Sequence, residues 1–193
     1  MGKKKLVLFD FFGVICCEIS PGWLAMRFEH EKAVSIKNAI IGSADKGEIT
    51  EREMFERLSK VTGVAPETIL QEWLDIATID KKVLEIITSL KSRGYAVGLL
   101  SNAPPDFEQR LLNRDNLYPY FDAMFISSER MLAKPDPAFF NLALTEMGYK
   151  KEDAVFIDDN PVNIVASKNI GIDAILFKNA DQLKEELEPI LAD

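Results

Sequence analysis

The sequence predicts an α/β fold in which a parallel sheet carries a helical insertion. Three observations predict it. Short, continuous apolar runs recur at Leu6–Phe9, Ala96–Leu100, Met124–Ile126 and Ala154–Ile157, without the polar alternation of a half-exposed strand. Strands of a parallel sheet are buried on both faces and read this way. Segments of helical periodicity separate most of the runs, as right-handed crossovers between parallel strands require. Three runs also lead directly into Asp10, Ser101 and Asp158, which gathers polar chemistry at strand ends.

Taken in order, Lys3, Lys4 and Lys5 read as a solvated lead-in to the first strand. Between that strand and a helix beginning near Asp80 lies a long stretch with helical periodicity and little strand character. Thr50 and Glu53 predict a capping box ahead of Phe55 and Leu58, and Pro66 opens a further helix through Ile69, Leu70, Trp73 and Leu74. Trp23, Phe28 and Trp73 are aromatic enough to line a pocket, but packing residues of a small helical bundle are the expectation. Gly94 marks a helix end before the second strand, and Pro104 or Pro105 is placed to start a helix after it. Pro137 behind Asp136 predicts a helix start after the third strand. A weaker fifth strand, Ala174–Phe177, follows Gly171. Asn179 with Gln182 then resembles a capping box before Leu183, Leu187 and Leu191.

At 193 residues the chain is long enough to bury a substantial core as one domain or one domain with an insertion. A net charge of -8 argues against nucleic-acid or anionic-membrane partners, so an anion site has to be built locally. Cys16 and Cys17 are adjacent and give no disulfide framework, and no apolar run approaches the roughly 18 residues of a membrane span. A cytoplasmic setting is the expectation. His30, the sole histidine, is expected on the surface of the insertion.

Four segments carry candidate chemistry. LVLFDFFGVI ends a strand in Asp10 and follows with Gly13, although a turn or cap role for such an aspartate is common. LLSNAPP supplies Ser101 and Asn102, able to donate hydrogen bonds to phosphoryl oxygen; an N-cap is the alternative for Ser101. LAKPDP sets Lys134 before two prolines that stiffen its backbone, which suits an aimed ammonium more than a solvent-exposed one. VFIDDNPVN places Asp158 and Asp159 together after a buried strand, where mutual repulsion favours a cation, and all-oxygen donors suit Mg2+.

These segments, in this order, resemble the motifs of the haloacid dehalogenase (HAD) superfamily, whose Rossmann-like core supports phosphatases, phosphomutases, dehalogenases and phosphonate hydrolases. KGEITEREMF resembles a stretch of that superfamily's small caps. The resemblance implies a HAD-like, three-layer Rossmannoid fold, with residues 1–15 and 80–193 as the core and 16–79 as a helical cap. It implies Asp10 as nucleophile with Lys134 beside it. Ser101, Asn102 and Lys134 would bind the phosphoryl group. Mg2+ would be held by Asp10, Asp158, Asp159 and the backbone carbonyl of Phe12. Asn102 and Asn163 are second candidates for orienting their neighbours. The implied function is a Mg2+-dependent phosphatase of a small phosphorylated metabolite, working through an aspartyl phosphate.

One position departs from the pattern. Family phosphatases usually carry a second aspartate two residues after the nucleophile, as general acid and base, and this chain has Phe12 there. Losing a positioned proton carrier costs about 10²- to 10⁴-fold. Glu18 is a candidate to swing in. Two other readings accommodate Phe12: a non-catalytic module that binds a phosphometabolite or a partner, and a 2-haloacid dehalogenase, whose halide leaves without a proton.

Overall fold

The computed structural model describes residues 4–104 and 106–192; Lys3 of the basic lead-in and Pro105 lie outside them. Five strands form one parallel sheet: β1 (Leu6–Phe9), β2 (Ala96–Ser101), β3 (Ala123–Ile126), β4 (Ala154–Asp158) and β5 (Asp173–Leu176), in the spatial order β3-β2-β1-β4-β5. β1 therefore lies between β2 and β4, with Phe9 in register with both Leu99 and Ile157. That order brings the ends of the first, second and fourth strands side by side. Ligands of open α/β sheets bind at such carboxyl edges.

The alternation of side chains along each strand separates the core into two layers. Val7, Phe9, Val97, Leu99, Val155 and Ile157 face one side, and Leu6, Leu8, Leu100, Phe125 and Phe156 face the other. The first side is covered by α6 (Lys81–Ser92), α7 (Phe107–Arg114) and α11 (Ala180–Ala192), through Ile87, Leu90, Phe107, Leu111, Leu183 and Leu187. The second is covered by α9 (Pro137–Met147) and α10 (Pro161–Asn169), with Phe140 set edge-on to Phe156 at 5.2 Å between centroids. Continuous apolar strand runs are the consequence of both faces being covered.

Between β1 and α6 the chain is helical: α1 (Ser20–Ala25), α2 (His30–Ile36), a π-helical turn at Lys37–Ile41, α3 (Gly42–Asp45), α4 (Glu51–Thr62) and α5 (Pro66–Ile76). A further α-helix, α8 (Ser127–Arg130), is a single turn after β3. The Thr50–Glu53 capping box forms in both directions, and Pro66 occupies the first position of α5. Trp23 and Trp73 are buried and pack against each other, and Trp73 also meets Phe55 and Phe107 edge-on. Through Phe107 the helical segment shares its apolar cluster with the sheet. Arg114 on α7 strengthens the junction by donating to the carbonyls of Leu74 and Ala77 at 2.7 and 2.9 Å.

Several local expectations are corrected. Lys4 is buried rather than solvated: its ammonium donates to the Glu152 carbonyl at 2.6 Å and pairs with Asp173 at 2.8 Å, tying the start of β1 to β5. The helix after β2 starts at Phe107 rather than at Pro104, because Ala103 and Pro104 are not helical. Asn179 caps the Gln182 amide at 2.9 Å, but Gln182 accepts from Lys178 rather than from Asn179, so the expected box is only half made. No described helix is long and apolar enough to cross a membrane.

Candidate active site

Asp10 follows the last residue of β1, and its amide donates to the Ile157 carbonyl of β4 at 2.9 Å. That bond continues the ladder one residue past the strand and fixes where the side chain leaves the sheet. The next amide, of Phe11, donates to Asp10 Oδ1 at 2.7 Å. The same oxygen accepts from Lys134 Nζ at 2.7 Å, and Nζ also reaches Asp158 Oδ2 at 2.8 Å. Lys134 is only 4% exposed and Asp158 is fully buried, so this is a desolvated bridge between two carboxylates.

The lysine is aimed by its neighbour. Asn102 Oδ1 accepts from the Lys134 amide at 2.9 Å while Asn102 Nδ2 donates to the Lys134 carbonyl at 2.8 Å, so one side chain clamps the lysine backbone from both directions. Asn102 thus sits where its second candidacy, orienting a neighbour, places it, and its amide is already engaged. Asp158 is aimed as firmly: Asn163 Nδ2 donates to both its oxygens at 3.1 and 3.0 Å, and the Asn160 amide donates to Oδ1 at 2.8 Å. Such a density of donors is what a buried carboxylate needs.

Asp159 stands beside this network against the loop after β1. A Cβ on Gly13 would lie 2.3 Å from the Asp159 Cγ, and Gly13 has φ +82, so a side chain at position 13 is excluded both sterically and conformationally. Asp10, Asp158 and Asp159 each present an oxygen within 4.8 Å of the others. With one lysine among three carboxylates the cluster is two negative charges in excess. The donors are all oxygen, and the spacing fits a hard divalent cation such as Mg2+.

Electrostatics follow from this crowding. Burial raises the Asp10 carboxyl well above its usual range, with Lys134 opposing and Asp158 adding to the rise. Burial works against the charged form of Lys134, but Asp10 and Asp158 together outweigh it and hold its ammonium above the usual value. Burial, then the charges of Glu18 and Asp158, push Asp159 up to about 6. A cation at the trio would favour the ionised carboxylates.

A cleft of about 180 Å3 opens onto these groups, lined by Asp10, Asn102, Lys134 and Asp159 from the strand ends and by Glu18, Lys37 and Asp45 from the helical segment. Phe12 lines it too, its ring edge-on to Phe11 at 4.9 Å and stacked on Phe107 at 6.2 Å. Ser101, at the end of β2, is fully buried with its hydroxyl unpartnered and lies behind the cleft wall rather than on it. Trp23, Phe28 and Trp73 do not line this cleft; the two tryptophans are core, and Phe28 borders a separate hollow near His30, which is exposed.

Residues 4–171 match the haloacid dehalogenase-like hydrolase family. The chain belongs to that family. Among its relatives, drimenol cyclase drtB of Aspergillus calidoustus is 27% identical over 162 residues, 80% of this chain and 30% of that protein, so the chain spans under a third of that relative. Sesquiterpene phosphatase astK of Aspergillus oryzae is 25% identical over 66% of this chain and 67% of its own length. The crystal structure of a HAD family enzyme from Bacteroides thetaiotaomicron superposes with a TM-score of 0.82 over 96% of this chain and 99% of that one, at 22% identity. The same Bacteroides enzyme has been solved in complex with magnesium and inorganic phosphate, with a TM-score of 0.76 and 24% identity over 91% and 94% of the two chains. These likenesses establish the HAD-like Rossmann fold.

Two acidic groups near the HAD site escaped the sequence reading. Asp45 lies in a helical segment whose docking no local pattern specifies. Glu108 left a clearer signal, because it falls three and four residues before Leu111 and Leu112 on the buried stripe of α7. It is fully buried, and burial raises it to about 8 against the opposing pull of the Ser101 hydroxyl and the Lys134 ammonium.

Proposed function

We propose that the protein is a Mg2+-dependent phosphatase of a small phosphorylated metabolite, with Asp10 as nucleophile. The observation that carries this reading is the convergence of Asp10, Lys134, Asp158 and Asp159 at one end of the sheet. The size of the cleft and the phosphatase among the relatives support it. Residues 16–79 act as a cap over the core formed by 1–15 and 80–193, which keeps bulk water from the reacting phosphorus.

Asp10, Asp158, Asp159 and the Phe12 carbonyl would hold Mg2+, which would supply charge neutralisation for the phosphoryl oxygens. Asp10, oriented by the Phe11 amide, attacks phosphorus in line with the leaving oxygen and forms an aspartyl phosphate; water then cleaves it. Lys134, clamped by Asn102, balances the charge that develops on the transferring group. Asn102 serves the phosphate side through its hold on Lys134, and Ser101 supports the end of β2 from behind the cleft wall.

Hydrolysis of p-nitrophenyl phosphate in the presence of Mg2+ tests the reading. Turnover that disappears with chelator and with Asp10→Asn is the expected result; turnover that survives both contradicts it. Phe12 favours a second reading, phosphometabolite binding without turnover, because its ring stacks on Phe107 where a proton carrier would otherwise stand. Saturable binding of inorganic phosphate with no hydrolysis of any ester would select that reading.

A further inference from the structure

The helical segment carries an acidic side chain into the cleft at a place fixed by the core. Asp45 ends α3, and the cleft it lines is the one lined by Asp10 and Lys134. Its backbone carbonyl accepts from the Ser127 hydroxyl of α8, and Ser127 Oγ in turn accepts from the Ala103 amide at 3.1 Å. Ala103 directly follows Asn102, so a chain of two hydrogen bonds joins Asp45 to the loop that clamps the lysine. Two residues further on, Gly47 has φ +72, and a Cβ there would lie 2.6 Å from the Ser128 carbonyl oxygen. The turn after α3 is therefore seated on α8 backbone to backbone, in a way that only glycine permits.

Resting on the phosphatase reading, we propose that Asp45 is the proton carrier of this enzyme, delivered from the helical segment to do the work that Phe12 cannot. In the first step Asp45 gives its proton to the leaving ester oxygen as the P–O bond breaks and the bond from Asp10 to phosphorus forms. In the second it takes a proton from water as the water oxygen bonds to phosphorus and the Asp10–phosphorus bond breaks. Alcohol and inorganic phosphate are released, and Asp45 is protonated again.

The surroundings suit that role. Burial raises Asp45 to about 7, with Lys37, Lys134 and Lys46 pulling it down and Glu18 pushing it up. A group titrating near neutrality both donates and accepts effectively. Glu18 shares the cleft but is half exposed and lies 3.9 Å from Lys37, with no tie to the core comparable to the Ser127 bond. Glu108 is sealed inside α7 and does not reach the cleft.

The test compares an alkyl phosphate, which needs a proton on its leaving group, with p-nitrophenyl phosphate, which needs little help. Asp45→Asn should lower kcat/KM for the alkyl ester by about 10²-fold or more while changing the first, phosphoenzyme-forming step with the aryl ester by less than about threefold. The fall of alkyl-ester kcat/KM above pH 7 in the wild type should vanish in Asp45→Asn and return in Asp45→Glu. Ser127→Ala, which loosens the carbonyl without touching the carboxyl, should give a partial loss of the same selectivity. An unchanged ratio of alkyl to aryl rates in a folded Asp45→Asn protein overturns the assignment of Asp45 and leaves the phosphatase reading intact. Absence of any Asp10-dependent hydrolysis in the wild type overturns both.

Discussion

Gly13 shows how much of the site depends on single atoms. The carboxylate of Asp159 occupies the space where a Cβ at position 13 would stand, and the backbone there is left-handed. Gly13→Ala is expected to destabilise the protein by about 1–3 kcal/mol and to weaken Mg2+ binding by displacing Asp159; urea unfolding and calorimetric titration measure the two effects. A variant with unchanged Mg2+ affinity would separate Asp159 from the metal. At this scale the sequence was informative wherever a candidate residue ends or directly follows a strand. Asp10, Asp158 and Asp159 were legible because an apolar run that stops at a carboxylate puts that carboxylate at a sheet edge. The clamp of Asn102 on Lys134 was not, because it joins residues 32 apart in sequence and depends on loop geometry. Asp45 was hidden for the same reason: its neighbours in the chain say nothing of Ser127.

Elements carry the next level. α4 begins with a complete reciprocal box between Thr50 and Glu53 and presents Met54, Phe55 and Leu58 to the core. Thr50→Ala removes one partner of that box at an exposed position and should lower stability by about 1 kcal/mol, read from the urea midpoint with the denaturant slope unchanged. The boundaries of α4, α5 and α9 were legible because Thr50, Pro66 and Asp136–Pro137 act within one turn. The start of α7 was not, because Pro104 does not open the helix, which begins at Phe107, packed on Trp73 and Phe12. Lys4 makes the same point at a strand: three lysines in a row suggest solvent, and only the position of β5 shows that one of them meets Asp173.

For the whole molecule, sheet order places β1 between β2 and β4 and brings their carboxyl ends together, an order that apolar runs do not disclose because each marks a strand without naming its neighbours. The arrangement gathers acidic groups in the interior, and this has a consequence for stability. Glu108 is raised by burial from its ordinary 4.5 to about 8, so the folded protein keeps a proton that the unfolded chain has released across that interval. Stability from this group is complete below about pH 4.5 and is lost as pH rises through 8. Thermal unfolding without Mg2+ should therefore show a falling midpoint between pH 5 and pH 8, and Glu108→Gln, which has no proton to lose, should flatten the fall. An identical slope in the variant would place the proton elsewhere.

Turnover on the proposed reading requires a covalent bond between Asp10 and phosphorus. The most direct measurement is rapid acid quench of the protein with Mg2+ and acetyl phosphate, followed by intact-mass analysis and mapping of the modified peptide. A gain of one phosphoryl group at Asp10, absent from Asp10→Asn and removed by hydroxylamine, is the expected result. Turnover of the same substrate with no such adduct, or with the phosphoryl group on another residue, would contradict it.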